Sequence, residues 1–92
     1  MRLIKIGLGS VNPTVGSVRS NTDRCLRVAR EMAAADVTVG VFPEQVVGGY
    51  PAEDLVQWRG FVDAQAEALR RFAAETSELG AVWVLGAVAS LR

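Results

Sequence analysis

Apolar residues along the chain form short runs that alternate with amphipathic stretches. Residues 3–10, 37–42 and 81–89 are apolar and bounded by Gly, Pro or polar residues, which predicts three buried strands. Between them, apolar positions recur at helical spacing over residues 22–35 and 51–79, which predicts two helices. The order β-α-β-α-β is typical of an α/β fold with a parallel sheet.

Caps and helix breakers indicate where these elements end. Residues 20–23 (Ser-Asn-Thr-Asp) are N-cap candidates for the first helix, and Pro43 ends the second strand because proline cannot donate to a central ladder. Glu53 and Asp54 suit the positive end of the second helix, and we interpret them as dipole-complementing residues. Gly80 is a natural C-cap.

The amino-acid composition argues against several classes of protein and of binding partner. Ten basic residues balance ten acidic ones, so nucleic-acid binding has no electrostatic support. The chain has no histidine and one cysteine, so it cannot build a zinc cluster or an internal disulfide, and a reducing compartment is the simplest interpretation. The apolar start is too short for a membrane span. We therefore predict a cytoplasmic protein with no metal site and no membrane partner.

The predicted sheet is a poor complete fold. The chain has 92 residues, and three apolar parallel strands normally need cover on both faces. We therefore expect residues 1–92 to be part of a larger domain.

Glu44 is the first candidate for chemistry, because ligands bind where the carboxyl ends of parallel strands meet. It follows the second strand directly and precedes a Gly-Gly turn, where partial desolvation would favour a general base. A solvated loop glutamate or a helix-capping carboxylate is the alternative. Tyr50 follows the same turn and either lines a pocket or covers the turn.

Other candidates have simpler structural interpretations. Cys25 lies in mid-helix on the apolar stripe without a histidine to activate it, which favours a buried, inert thiol. Gly7 and Gly9 lack the third glycine of a dinucleotide loop, so close backbone packing explains them better. The aromatic residues of the second helix, Trp58, Phe61 and Phe72, favour core or interface packing.

Four segments together resemble a known enzyme family. They are Asn-Pro-Thr-Val-Gly at 12–16, Asn21, Phe-Pro-Glu at 42–44 and Gly-Tyr-Pro-Ala-Glu-Asp-Leu at 49–55. In order and spacing, the chain resembles the N-terminal part of the glutaminase domain in the glutamine-dependent NAD synthetase family. That domain belongs to the nitrilase, or carbon–nitrogen hydrolase, superfamily. The resemblance implies a partial α-β-β-α sandwich.

The resemblance also implies a mechanism and a set of partners. The family uses a Glu-Lys-Cys triad, of which only the glutamate maps here, onto Glu44 as catalytic proton acceptor. Neither Lys5 nor Cys25 matches the other two positions. Glutamine is the implied substrate, and deamido-NAD, ATP and Mg²⁺ are implied for a separate synthetase domain, with no cofactor in residues 1–92. Family members commonly assemble as homo-oligomers.

Two other functions remain open from the residues. One is another carbon–nitrogen hydrolase acting on a small amide or a carbamoyl amine. The other is a non-catalytic piece or oligomerisation module, because the lysine and cysteine of the triad are not present in these 92 residues.

Overall fold

The structure is a computed structural model that describes residues 3–44, 46–49 and 59–87. Its elements are β1 (Ile6–Leu8), α1 (Val18–Ala34), β2 (Val39–Val41), α2 (Arg59–Thr76) and β3 (Val82–Val84). The strands form one parallel sheet in the order β1-β2-β3. This confirms the predicted α/β order with parallel strands.

The two faces of the sheet differ in their surroundings. On one face, a Cβ atom on Gly40 would lie 2.9 Å from Sδ of Met32 in α1, so the strand backbone packs closely against the helix. On the other face, Leu8 and Val82 are 79% and 62% exposed. The prediction of buried strands was therefore wrong for β1 and β3, and in β2 only Gly40 is buried. All three strands are also shorter than predicted.

Helix α1 begins one turn earlier than the sequence pattern indicated. Ser17 is at the N-cap without a side-chain hydrogen bond, and Asn21 and Thr22 are buried rather than capping. At the other end, Nζ of Lys5 donates a hydrogen bond of 2.6 Å to the carbonyl of Ala35. Lys5 therefore satisfies a carbonyl at the helix C-terminus, where a cation is also favoured by the helix dipole.

Helix α2 packs beside α1 and covers the same face of the sheet. Its buried positions are Phe61, Gln65, Ala68, Phe72 and Thr76, whereas the apolar residues Val62 and Leu69 are only partly buried. The helix ends at Thr76, three residues before the predicted end, so the prediction that Gly80 caps it was wrong. Gly80 has a φ of +72° and follows the turn after the helix. Residues 51–58, which were predicted to begin this helix, lie outside the described residues. They include Glu53, Asp54 and Trp58.

Aromatic side chains join the second helix to the sheet. Phe42 meets the ring of Phe72 edge-on, with centroids 6.0 Å apart, and Trp83 of β3 lies 6.2 Å from Phe72. The core-packing interpretation of Phe61 and Phe72 is thereby confirmed, since both are buried. Phe42 also links this cluster to the segment that follows β2.

An ionic network crosses the outer surface of the two helices. Arg71 of α2 contacts Asp23 of α1 and lies 2.7 Å from Glu75, which in turn is 3.1 Å from Arg30. The pKa of Glu75 is lowered, mainly by the hydrogen bond that it accepts from Arg71. The paired side chains are 36% to 56% exposed, so each pair contributes little to stability.

Candidate functional site

Glu44 lies where the parallel-sheet rule placed it, in the turn just after the carboxyl end of β2. Because β2 is the middle strand of the sheet, this end is flanked by the ends of both neighbouring strands. The side chain is exposed in the structure. The expectation that local burial would desolvate Glu44 is therefore not met by the described residues.

The turn that carries Glu44 is fixed at both ends although Glu44 itself is exposed. On one side, Phe42 is 5% exposed and its N–H donates a 2.9 Å hydrogen bond to the carbonyl of Val84. On the other side, Val46 and Val47 are 0% and 1% exposed and belong to the core cluster. Glu44 is therefore an exposed carboxylate in a turn that buried side chains hold on both sides.

The segment after Glu44 packs directly on the loop that precedes α1. The amide nitrogen of Asn21 donates a 3.0 Å hydrogen bond to the carbonyl of Val47. The N–H of Gly16 donates to the carbonyl of Gly48 at 2.9 Å. Two loops that are about thirty residues apart in sequence, each following a strand, are thus joined at the rim of the sheet.

Asn21 is the residue whose role the sequence pattern missed. It was predicted as one of four N-cap candidates, but it is fully buried inside α1. The signal was present, since Asn21 precedes Cys25 by four residues and therefore shares its helical stripe. Extending the apolar stripe by one turn would have placed Asn21 in the core.

The other candidate residues do not join Glu44. Cys25 is fully buried, and that burial raises the pKa of its thiol to about 11. A thiol in this state is a poor nucleophile, which agrees with the inert-thiol interpretation. Lys5 is engaged with the C-terminus of α1. Tyr50, the possible pocket residue, lies outside the described residues.

Neither a metal cluster nor a membrane helix is found in the described part of the chain. Within residues 3–44, 46–49 and 59–87, no group of three or more His, Cys, Asp or Glu side chains could hold a metal ion. In the same ranges, neither helix has the length and hydropathy needed to cross a membrane.

Comparison with known proteins finds glutamine-dependent NAD(+) synthetases among the relatives of this chain. No protein-family model matches the chain. It is 30% identical over 90 residues to the glutamine-dependent NAD(+) synthetase of Thermotoga maritima, covering 98% of this chain and 16% of that protein. It is 38% identical over 82 residues to the same enzyme of Xanthomonas campestris pv. campestris, covering 86% of this chain and 14% of that protein.

Solved structures give the same relationship. The glutamine-dependent NAD+ synthetase of Acinetobacter baumannii, determined in complex with ADP, aligns with a TM-score of 0.80 and 30% identity. That alignment covers 97% of this chain and 16% of the synthetase chain. The corresponding enzyme of Cytophaga hutchinsonii aligns with a TM-score of 0.74 and 29% identity, over 78% of this chain and 12% of that chain.

The fold and these neighbours define the chain as an α/β segment of the nitrilase-like, carbon–nitrogen hydrolase type. Within that class, the chain matches part of the N-terminal region of glutamine-dependent NAD synthetases, which confirms the resemblance found in the sequence. It spans about one sixth of the length of the Thermotoga relative. The comparisons favour this branch over another carbon–nitrogen hydrolase or a non-catalytic module.

Proposed function

We propose that this chain contributes Glu44 to a glutaminase domain that supplies ammonia for the ATP-dependent amidation of deamido-NAD. The observation that carries the proposal is the position of Glu44, exposed at the carboxyl end of the central strand and held between buried anchors. The similarity to glutamine-dependent NAD synthetases over 98% and 86% of this chain supports it.

Glu44 is the proton acceptor in the proposed reaction. A cysteine thiol from the remainder of the domain passes its proton to Glu44 and attacks the side-chain amide of glutamine. Glu44 then returns the proton to the departing ammonia, and a lysine stabilises the oxyanion of the tetrahedral intermediate. Water finally releases glutamate from the thioester. Cys25 is buried inside α1 and is not the nucleophile.

Cofactors and partners of the proposed enzyme lie outside this segment. By similarity to glutamine-dependent NAD synthetases, we assign ATP and Mg²⁺ to a separate synthetase domain, and no step here involves them. Glutamine is the substrate at the glutaminase site. We further propose a cytoplasmic protein, in keeping with the free, buried Cys25. By resemblance to its relatives, we propose that the full-length protein is a homo-oligomer.

Glu44→Gln in the parent protein, meaning the full-length product that contains this chain, tests the proposal. The variant keeps the size of the side chain but cannot accept the thiol proton, so glutamine-dependent NAD formation should fall by about 100-fold or more. NAD formation from free ammonia should remain. Glu78→Gln, at another exposed carboxylate in a turn, is the matched control and should retain both activities. Near-normal glutamine use by the Glu44 variant would show that Glu44 is structural.

A further inference from the structure

The side chain of Asn21 is buried, and it forms hydrogen bonds to main-chain atoms of the two loops at the sheet rim. Its exposed fraction is 0%. Oδ1 accepts a 2.8 Å hydrogen bond from the N–H of Thr14, and Nδ2 donates to the carbonyls of Thr14 at 2.8 Å and Val47 at 3.0 Å. A carboxamide has two donor hydrogens, and these two bonds use both of them.

These three bonds require an amide group. One acceptor atom faces an N–H group and the two hydrogens of the NH₂ group face carbonyl oxygens, so the orientation of the amide is fixed. A carboxylate would place negative charge against two carbonyls, and an aliphatic side chain would leave buried main-chain groups unpaired. The hydrogen bonds of Asn21 therefore join the loop before α1 to the segment after β2.

The bond to Val47 acts on the turn that carries Glu44. Val47 follows Glu44 by three residues, and Gly48 next to it accepts the N–H of Gly16 at 2.9 Å. Upstream, Glu44 is fixed by Phe42, which is bonded to β3. Downstream, Asn21 of α1 and Gly16 of the preceding loop donate to the carbonyls of Val47 and Gly48. The N–H of Val47 also donates a longer hydrogen bond, of 3.3 Å, to the carbonyl of Gly86. Loss of the Asn21 amide would remove the side-chain hydrogen bond on the downstream side and leave the main-chain bonds of Gly48 and Val47 to hold it.

We infer that Asn21 is a positioning residue that sets the place of the Glu44 carboxylate at the rim of the sheet. This inference rests on the proposed glutaminase function, because it assigns Asn21 a role in proton transfer through Glu44. Asn21 does not touch the reacting atoms. It acts through Val47 and the main chain, and a displacement of about 1 Å at a reacting group costs about 100-fold in rate.

The test compares Asn21→Ala and Asn21→Ser with Thr22→Val in the parent protein. Thr22 is the matched control because it is 1% exposed and its hydroxyl donates a 2.7 Å hydrogen bond to the Val18 carbonyl within the same helix, α1. Glutaminase rates are divided by the number of active sites that an electrophilic glutamine analogue labels to completion. This normalisation separates loss of folded sites from loss of rate at each site.

We expect both Asn21 variants to lower kcat per labelled site by about 100-fold, with KM and ammonia-dependent NAD formation nearly unchanged. Thr22→Val should keep kcat per labelled site. Hydrogen exchange should accelerate at the amide of Gly16 in the Asn21 variants, because its acceptor Gly48 lies beside the released carbonyl. A purely structural role would instead reduce the number of labelled sites and leave the rate at each site intact.

The outcomes separate failure of this inference from failure of the proposed function. If Glu44→Gln removes glutamine use but both Asn21 variants keep a normal kcat per labelled site, the positioning role is overturned and the function stands. Equal losses in the Asn21 and Thr22 variants, or variants of Asn21 that never fold, also make Asn21 structural. If Glu44→Gln keeps glutamine use, the proposed function fails and the inference fails with it.

Discussion

The backbone of Gly49 lies against the backbone of Val15. A Cβ atom on Gly49 would be 2.5 Å from Cα of Val15 and 2.7 Å from its nitrogen, and Gly49 has a φ of +88°. The contact is between main-chain atoms, so no side-chain rotation could relieve it. This pair closes the interface between the loop before α1 and the segment that follows Glu44.

Gly49→Ala should destabilise the chain, because it combines a left-handed φ with a main-chain clash. We expect a loss of about 1–3 kcal/mol in the free energy of unfolding, measured by urea denaturation. Gly60→Ala is the matched control, since no atom lies within 4 Å of its Cβ position and the residue is helical. That change should stabilise by about 0.5–1 kcal/mol. Equal effects of the two substitutions would contradict the close approach of Gly49 and Val15.

Cys25 should make the stability of the chain fall at alkaline pH. Burial raises the pKa of its thiol from 9.0 to about 11, so the folded state holds the proton more tightly than the unfolded state. The resulting stabilisation is complete below pH 9.0 and is lost as the pH rises through about 11. The expected loss is on the order of 2 kcal/mol.

Urea denaturation on either side of this pH window measures the loss, and Cys25→Ala is the control. The alanine variant retains every other titrating group and should show a smaller decrease in stability. Because the thiol of Cys25 is buried in the folded chain, a thiol reagent should label it only in denaturant. Rapid labelling of the folded chain at neutral pH would show that the thiol is accessible and would remove the reason for its raised pKa.

The uncovered face of the sheet should tolerate charge in the 92-residue chain. Leu8 is 79% exposed, so Leu8→Lys should leave the free energy of unfolding nearly unchanged and reduce binding of a hydrophobic dye. Leu26 is 1% exposed, and Leu26→Ala should cost about 2–5 kcal/mol. In a parent protein with the α-β-β-α layers, Leu8→Lys should destabilise strongly, because a second sheet would cover that face. A harmless Leu8→Lys change in that protein would argue against the layered arrangement.

The isolated 92-residue chain should not hydrolyse glutamine. Glu44 is present, but Cys25 is buried and Lys5 is occupied at the C-terminus of α1, so the described residues place no nucleophile beside Glu44. Ammonia release from glutamine by the purified chain, measured against a Glu44→Gln version, tests this prediction. Release that depends on Glu44 would show that the chain carries out the reaction alone and would require another nucleophile.

Periodicity was enough to predict the order of elements but not the ends of α1. Cys25, Ala29 and Met32 share one apolar stripe, and all three are buried as predicted. The helix start was misplaced because Asn21 and Thr22 are polar and are common at N-caps. Their burial is possible only because the side chain of Asn21 meets main-chain partners and the hydroxyl of Thr22 bonds within the helix.

The sequence predicted the position of Glu44 but not its exposure to solvent. Glu44 follows a β-branched run that ends at proline, and this local pattern places it at the carboxyl end of a strand. Its exposure depends on which other layers cover the rim, and no local pattern reports that. The close contact of Gly49 and Val15 also joins residues that are far apart in sequence.

By itself, the sequence determined the alternation of strands and helices, the parallel class of the sheet and the place of Glu44, because these depend on local spacing and on short breaker motifs. Only the tertiary structure decided that one face of the sheet is uncovered and that Asn21 joins the two rim loops. Side-chain burial and hydrogen-bond partners arise from contacts between distant segments, and hydrophobic periodicity carries no information about which segments meet.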